Sequence, residues 1–100
     1  MTVASDYWMD LVAQVGCVIC LRVHGVYTPP ELHHVAEGSG LRSDYAVAGL
    51  CHEHHQGGSG LHGMGVKKFV VMYRLPGESE WGLLVWTIEE VAKLLMRAKA

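Results

Sequence analysis

At 100 residues the chain has room for one small domain, whose own burial gives only marginal stability. Half of its residues are apolar, which excludes a disordered chain, and a net charge of −2 argues against a broad basic surface for nucleic acid. Three cysteines cannot all pair with one another, so in a reducing compartment they read as metal ligands rather than disulfides.

No apolar run approaches the ~20 residues of a membrane span. The N-terminus lacks a basic region followed by an apolar signal segment, which reads as a protein that stays in the cytoplasm. The first expected element is a helix capped by Ser5 and running to about Val15, with Tyr7, Trp8, Leu11, Val12 and Val15 on one stripe. Gly16 ends it and delivers Cys17 and Cys20 as a knuckle. Leu21 to Tyr27 is β-branched enough for a short strand, and Thr28-Pro29-Pro30 turns the chain. Glu31 to Val35 reads as a second strand carrying His33 and His34 on opposite faces. A loop over Ala36 to Gly40 precedes a returning strand from Asp44 to Gly49, giving a ββ hairpin.

A short helix is expected from near Cys51 to Gly57-Gly58, after which a loop folds His62 back towards His55. From Gly65 a further helix places Val66, Phe69, Val70 and Tyr73 inward and Lys67 and Lys68 outward. Leu75-Pro76-Gly77 breaks it. Glu78 to Val85 reads as a helical turn followed by an extended piece. A last helix then starts at a capping box of Thr87 and Glu90, with Trp86 and Val91 as its staple and Ile88, Val91, Leu94 and Leu95 as its buried stripe.

The stretch from Leu50 to Gly63 holds one cysteine and four of the seven histidines. Cys17-x2-Cys20 followed by Cys51-x2-His54 is zinc-ligand spacing, and a structural zinc stabilises a domain this small. That site leaves His33, His34, His52, His55 and His62 over. His33, His55 and His62 can supply three nitrogens to a second ion, leaving His34 across the strand to activate a water, which suits phosphodiester hydrolysis. His24 and His52 read as solvent-facing. A second structural zinc or an inert surface strand is the plainer reading of His33 and His34.

Gly16 to Cys20, Glu31 to Val35, Gly49 to His55 and Gly60 to Gly63 together resemble an HNH (His-Me finger) endonuclease of the ββα-metal type. More narrowly they resemble the short phage-type recombination enhancement function (Ref) nucleases, over about residues 9 to 74. The resemblance implies an α+β fold: a zinc-stabilised ββα-metal core at about 16–74, flanked by an N-terminal helix and a C-terminal helical extension at about 78–99. The whole of 1–100 is then one nuclease domain. It implies a zinc held by Cys17, Cys20, Cys51 and His54, and a catalytic Mg2+ or other divalent ion on His33, His55 and His62. His34 takes the role of general base, and Asp44, ten residues on, is the nearest candidate for the asparagine that this chain lacks.

The expected activity is a DNA endonuclease or nickase. Its expected partners are DNA and a RecA-like recombinase filament, with a homodimer as another way to strengthen DNA engagement. Arg22, Arg42, Lys67, Lys68 and Arg74 are the expected phosphate contacts. If phage-encoded, the protein would act in the host cytoplasm. A different class of reading is a non-catalytic zinc module that binds DNA or protein; metal-dependent nicking of plasmid separates the two.

Overall fold

A computed structural model describes residues 2–36, 40 and 42–99. Helix α1 (Val3–Val15) is followed by a π-helical turn over Cys20–His24, then strands β1 (Glu31–His34) and β2 (Val47–Leu50). Three short helices come next, α2 (His52–Gln56), α3 (Leu61–Met64) and α4 (Val66–Met72), then a 3-10 turn at Pro76–Glu78 and the long helix α5 (Trp81–Lys99). The protein is therefore a small α+β fold in which a two-stranded sheet and α2 form a ββα unit between longer helices.

The strands pair antiparallel with Glu31 opposite Leu50, Leu32 opposite Gly49, His33 opposite Ala48 and His34 opposite Val47. Because side chains alternate along a strand, this register gives the sheet two different faces. Val35, Ala48 and Leu50 join a core with Cys17 to Cys20, Cys51, Leu61, Phe69, Val70 and Leu83. Val47, with Leu32 against it, joins the other core of Leu11, Val12, Val15 and Val91. Each fully buried side chain of the size of Leu50 or Phe69 contributes about 1.5–3 kcal/mol of transfer free energy. No single one of them holds so small a fold.

Several elements differ from expectation, each for a local reason. Thr2, one position upstream of α1, caps that helix in a reciprocal box with Ser5, so Ser5 is buried inside the first turn instead of capping it. Tyr7 falls outside the buried stripe at 62 % exposure. The expected strand after Cys20 is helical, since the knuckle continues its own turn until Gly25 takes the left-handed conformation. By length and composition Val3–His24 is apolar enough to cross a membrane, against the expectation. However, α1 stops at Gly16 (φ 81°), and half of the segment is buried within the protein. Glu37, Gly38 and Ser39 of the expected loop lie outside the described residues.

The largest difference is at the C-terminus. α5 begins at Trp81, whose N–H donates to Ser79 Oγ, and runs through Thr87 without a break. Thr87 is fully buried and donates to the Leu83 carbonyl, and Glu90 pairs with Arg22, so neither residue caps anything. The buried face of α5 is Leu83, Thr87, Glu90 and Val91, whereas Ile88 is 55 % exposed and Leu95 40 %. Val91 and Leu94 pack into the α1-side core as expected; apolar residues on both faces of this helix are why periodicity also placed Ile88 and Leu95 inward.

Candidate metal centre and active site

Gly16 makes the first half of the cluster of Cys17, Cys20, Cys51 and His54. Its positive φ and its carbonyl, against which Gly49 of β2 packs too closely for any Cβ, let the end of α1 fold directly onto the sheet. Cys17 N–H then donates to the Thr28 carbonyl, and Cys20 N–H points at Cys17 Sγ at 3.4 Å. Cys51 supplies the second half at the N-terminus of α2, with His54 one turn later on the same helix.

The four donor groups meet in the core. His54 Nδ1 lies 3.5 Å from Cys17 Sγ, 3.4 Å from Cys20 Sγ and 3.2 Å from Cys51 Sγ, and Cys20 Sγ is 3.8 Å from Cys51 Sγ. A tetrahedral zinc with ordinary bond lengths demands edges of about 3.8 Å between sulfurs and about 3.6 Å between sulfur and nitrogen. These four separations lie at those edges or a few tenths of an ångström inside them, and all four residues are buried, so the donor set fits zinc. Without an ion, burial pushes the Cys17 thiol up to about 12. Burial likewise lowers the pKa of His54, with His24 adding to the effect. Both shifts favour neutral groups that a cation would convert into ligands. Phe69, Tyr73 and Leu61 roof the cluster, with Tyr73 edge-on to His54 and its hydroxyl donating to the Ser59 carbonyl.

The second cluster lies beside the first on α2. His33, His55 and His62 present nitrogens within 4.8 Å of one another, and their ring centroids are 4.8 to 5.5 Å apart. His62 was expected on a loop; it is carried by α3, which packs so closely on α2 that a Cβ on Gly63 would overlap the Gly57 carbonyl. Glu53 closes the intervening loop by accepting from both Ser59 N–H and Ser59 Oγ. Burial lowers the pKa of His62, with His55 and His33 contributing and Glu80 opposing, so its imidazole is held neutral. Three imidazoles with no carboxylate in the set fit a later transition ion such as zinc, nickel or iron better than magnesium, which favours oxygen.

Around this cluster stand carboxylates. His34 Nε2 is 2.9 Å from Asp44 Oδ1, across the turn before β2. Glu31 meets His55 Nδ1 at 2.8 Å through one oxygen and His52 Nδ1 at 3.0 Å through the other, and these bonds lower its pKa. Glu80, just before α5, reaches His33 Nε2 at 2.5 Å. Sequence reasoning passed over both glutamates. Glu31 carried a readable signal, since it sits two residues before His33 on the same strand face. Glu80 carried none, being 47 residues away.

Of the cations expected to meet phosphate, Arg42, Lys67, Lys68 and Arg74 are exposed. Arg22 is not available: it pairs with Glu90 at 2.8 Å and Glu89 at 3.0 Å and stacks over Trp86.

A family model described as "Recombination enhancement, RecA-dependent nuclease" matches residues 2–92 of the chain. No curated protein and no solved structure matches it significantly.

Proposed function

We propose, because the chain belongs to the recombination-enhancement, RecA-dependent nuclease family, that it is an HNH-type, metal-dependent DNA endonuclease or nickase. Its DNA is presented by a RecA-like filament. The observation that carries this reading is the pairing of His34 with Asp44 one residue along from His33 of the three-imidazole cluster. In this reading residues 1–100 are one nuclease domain, with the core at about 16–74 and a helical extension at about 78–99. It works in the cytoplasm, that of the host if the chain is phage-encoded.

Zinc on Cys17, Cys20, Cys51 and His54 supplies folding energy. His33, His55 and His62 would hold a divalent ion, magnesium or another, that would supply positive charge to the scissile phosphate and leaving oxygen. The chain's own groups do the rest. Asp44 accepts from His34 Nε2–H, which fixes the tautomer and leaves the lone pair on Nδ1. His34 Nδ1 takes the proton of the attacking water, and the Asp44 carboxylate stabilises the imidazolium that results. Asp44 thus fills the place that asparagine holds in the HNH pattern. Glu31 accepts from His55 Nδ1–H and turns Nε2 to the ion. Lys67, Lys68, Arg42 and Arg74 offer few phosphate contacts, so bare duplex is held weakly and a filament or a second copy of the chain compensates.

The test is nicking of supercoiled plasmid by zinc-loaded protein with added Mn2+ or Mg2+. Nicking that stops with chelator supports the proposal. Tight DNA or protein binding without any cutting, with or without a filament, would instead identify a non-catalytic zinc module.

A further inference from the structure

Glu80 lies outside every motif that marks the chain as a nuclease, in the segment that joins α4 to the C-terminal helix. Yet its carboxylate is buried at 6 % exposure against the ring of His33, itself 8 % exposed, with Oε2 2.5 Å from Nε2. The backbone that brings it there is unusual. Arg74 (φ 54°) and Glu78 (φ 47°) both take left-handed conformations on either side of Pro76-Gly77, where a residue with a Cβ is rarely found. Gly82 then packs so tightly on Pro76 that no Cβ fits, which holds the start of α5 against the turn. Helix α5 itself is anchored by Leu83 in the zinc-side core and by Val91 in the α1-side core. A carboxylate is thereby fixed on the one imidazole of the cluster that sits in the middle of the sheet.

We infer that Glu80 is a positioning residue for the second metal site: it holds the His33 ring proton on Nε2 and so presents Nδ1 as the ligand atom. This rests on the proposed nuclease reading, in which His33, His55 and His62 hold an ion. A ligating imidazole whose other nitrogen donates to a carboxylate is oriented, locked in one tautomer and made more basic. His55 has such a partner in Glu31, which comes from the sheet. His33 has its partner from the C-terminal extension, so that extension belongs to the active site rather than serving only as a buttress. Glu80 stays outside the set of groups whose ligand atoms converge, which consists of His33, His55 and His62. That separates positioning from ligation.

The experiment measures Mn2+ binding to zinc-loaded protein by calorimetry, and the visible spectrum of Co2+ bound at the same site. Wild type, His55→Ala, Glu80→Ala and Glu80→Gln are compared, with zinc content and thermal midpoint recorded for each. Wild type should bind one added ion and His55→Ala should lose it. Glu80→Ala should weaken binding by about 10- to 100-fold, the usual cost of removing such a partner. Glu80→Gln, whose carbonyl still accepts the Nε2 proton, should recover most of that loss and give the wild-type Co2+ spectrum.

Wild-type affinity in Glu80→Ala, with His55→Ala still defective, overturns the inference and leaves the nuclease reading intact. So does a changed Co2+ spectrum in Glu80→Gln, which would make Glu80 a ligand. If Glu80→Ala fails to fold, Glu80→Gln decides alone: it must bind with the wild-type spectrum and within about tenfold of wild-type affinity. Failure of wild type to bind a second ion at all would overturn the site itself.

Discussion

Replacing Cys17 by alanine removes one of the four donors proposed to hold zinc from the centre of the larger core, where the residue is fully buried. A 100-residue domain has a total stability of about 5–15 kcal/mol, while a structural zinc of this kind binds with an apparent free energy of about 10–16 kcal/mol. The second quantity is as large as the first, so the fold cannot survive loss of the ion. The remaining donors do not compensate. Cys20 Sγ, Cys51 Sγ and His54 Nδ1 would still lie 3.2 to 3.8 Å from one another in the core, with no fourth donor to complete a tetrahedral site. Cys17→Ala should therefore contain well under one zinc per chain, lose its near-ultraviolet circular dichroism and melt without a cooperative transition. Wild type stripped with a strong chelator should do the same and recover when zinc is returned. A zinc-free Cys17→Ala protein that melts cooperatively within a few degrees of wild type would refute the reasoning.

Asp44→Ala should retain both metals and lose about 10- to 100-fold of the cleavage rate, whereas Asp44→Asn should lose much less because the amide oxygen still accepts from His34; single-turnover cleavage checks both. Burial holds His54 and His62 below the ordinary histidine value of 6.5, so the unfolded chain binds more protons than the folded one as the pH falls through that region. Their contribution to stability is complete above about pH 6.5 and lost in more acid solution, where protons also displace the metals; denaturant midpoints and zinc release between pH 8 and pH 5 measure it. With Arg22 occupied by Glu89 and Glu90, at most four of the expected cations remain for phosphate. A log–log plot of DNA affinity against salt should then be shallower than about −4, and flatter still for Lys67→Ala with Lys68→Ala.

The ββα unit and its donors were legible because spacing and chemistry agree there. Two x2 pairs define a tetrahedron, and a histidine doublet in a strand must divide between two faces. The His34–Asp44 contact was also within reach, since a hairpin returns the chain past its own partner. What the sequence concealed was set by tertiary packing. The segment after Cys20 has strand-like residues but inherits a helical turn from the knuckle. α3 is a single turn among glycines, whose low intrinsic propensity is overridden by Leu61 entering the core. In α5 an interior Thr87 and Glu90 imitate a capping box that their burial and partners rule out. Glu80 was beyond reach for a different reason: nothing local marks a carboxylate that becomes functional only when a distant turn lays it on His33.

The most direct test of the central claim is cleavage of DNA paired by a RecA filament, using zinc-loaded protein with Mn2+ or Mg2+, wild type beside His34→Ala. Wild type should cut, and far faster than on bare duplex. His34→Ala should keep its zinc and its second ion yet cut about 100-fold or more slowly. Equal rates for the two proteins, or no metal-dependent cutting by wild type on the filament, would contradict the account.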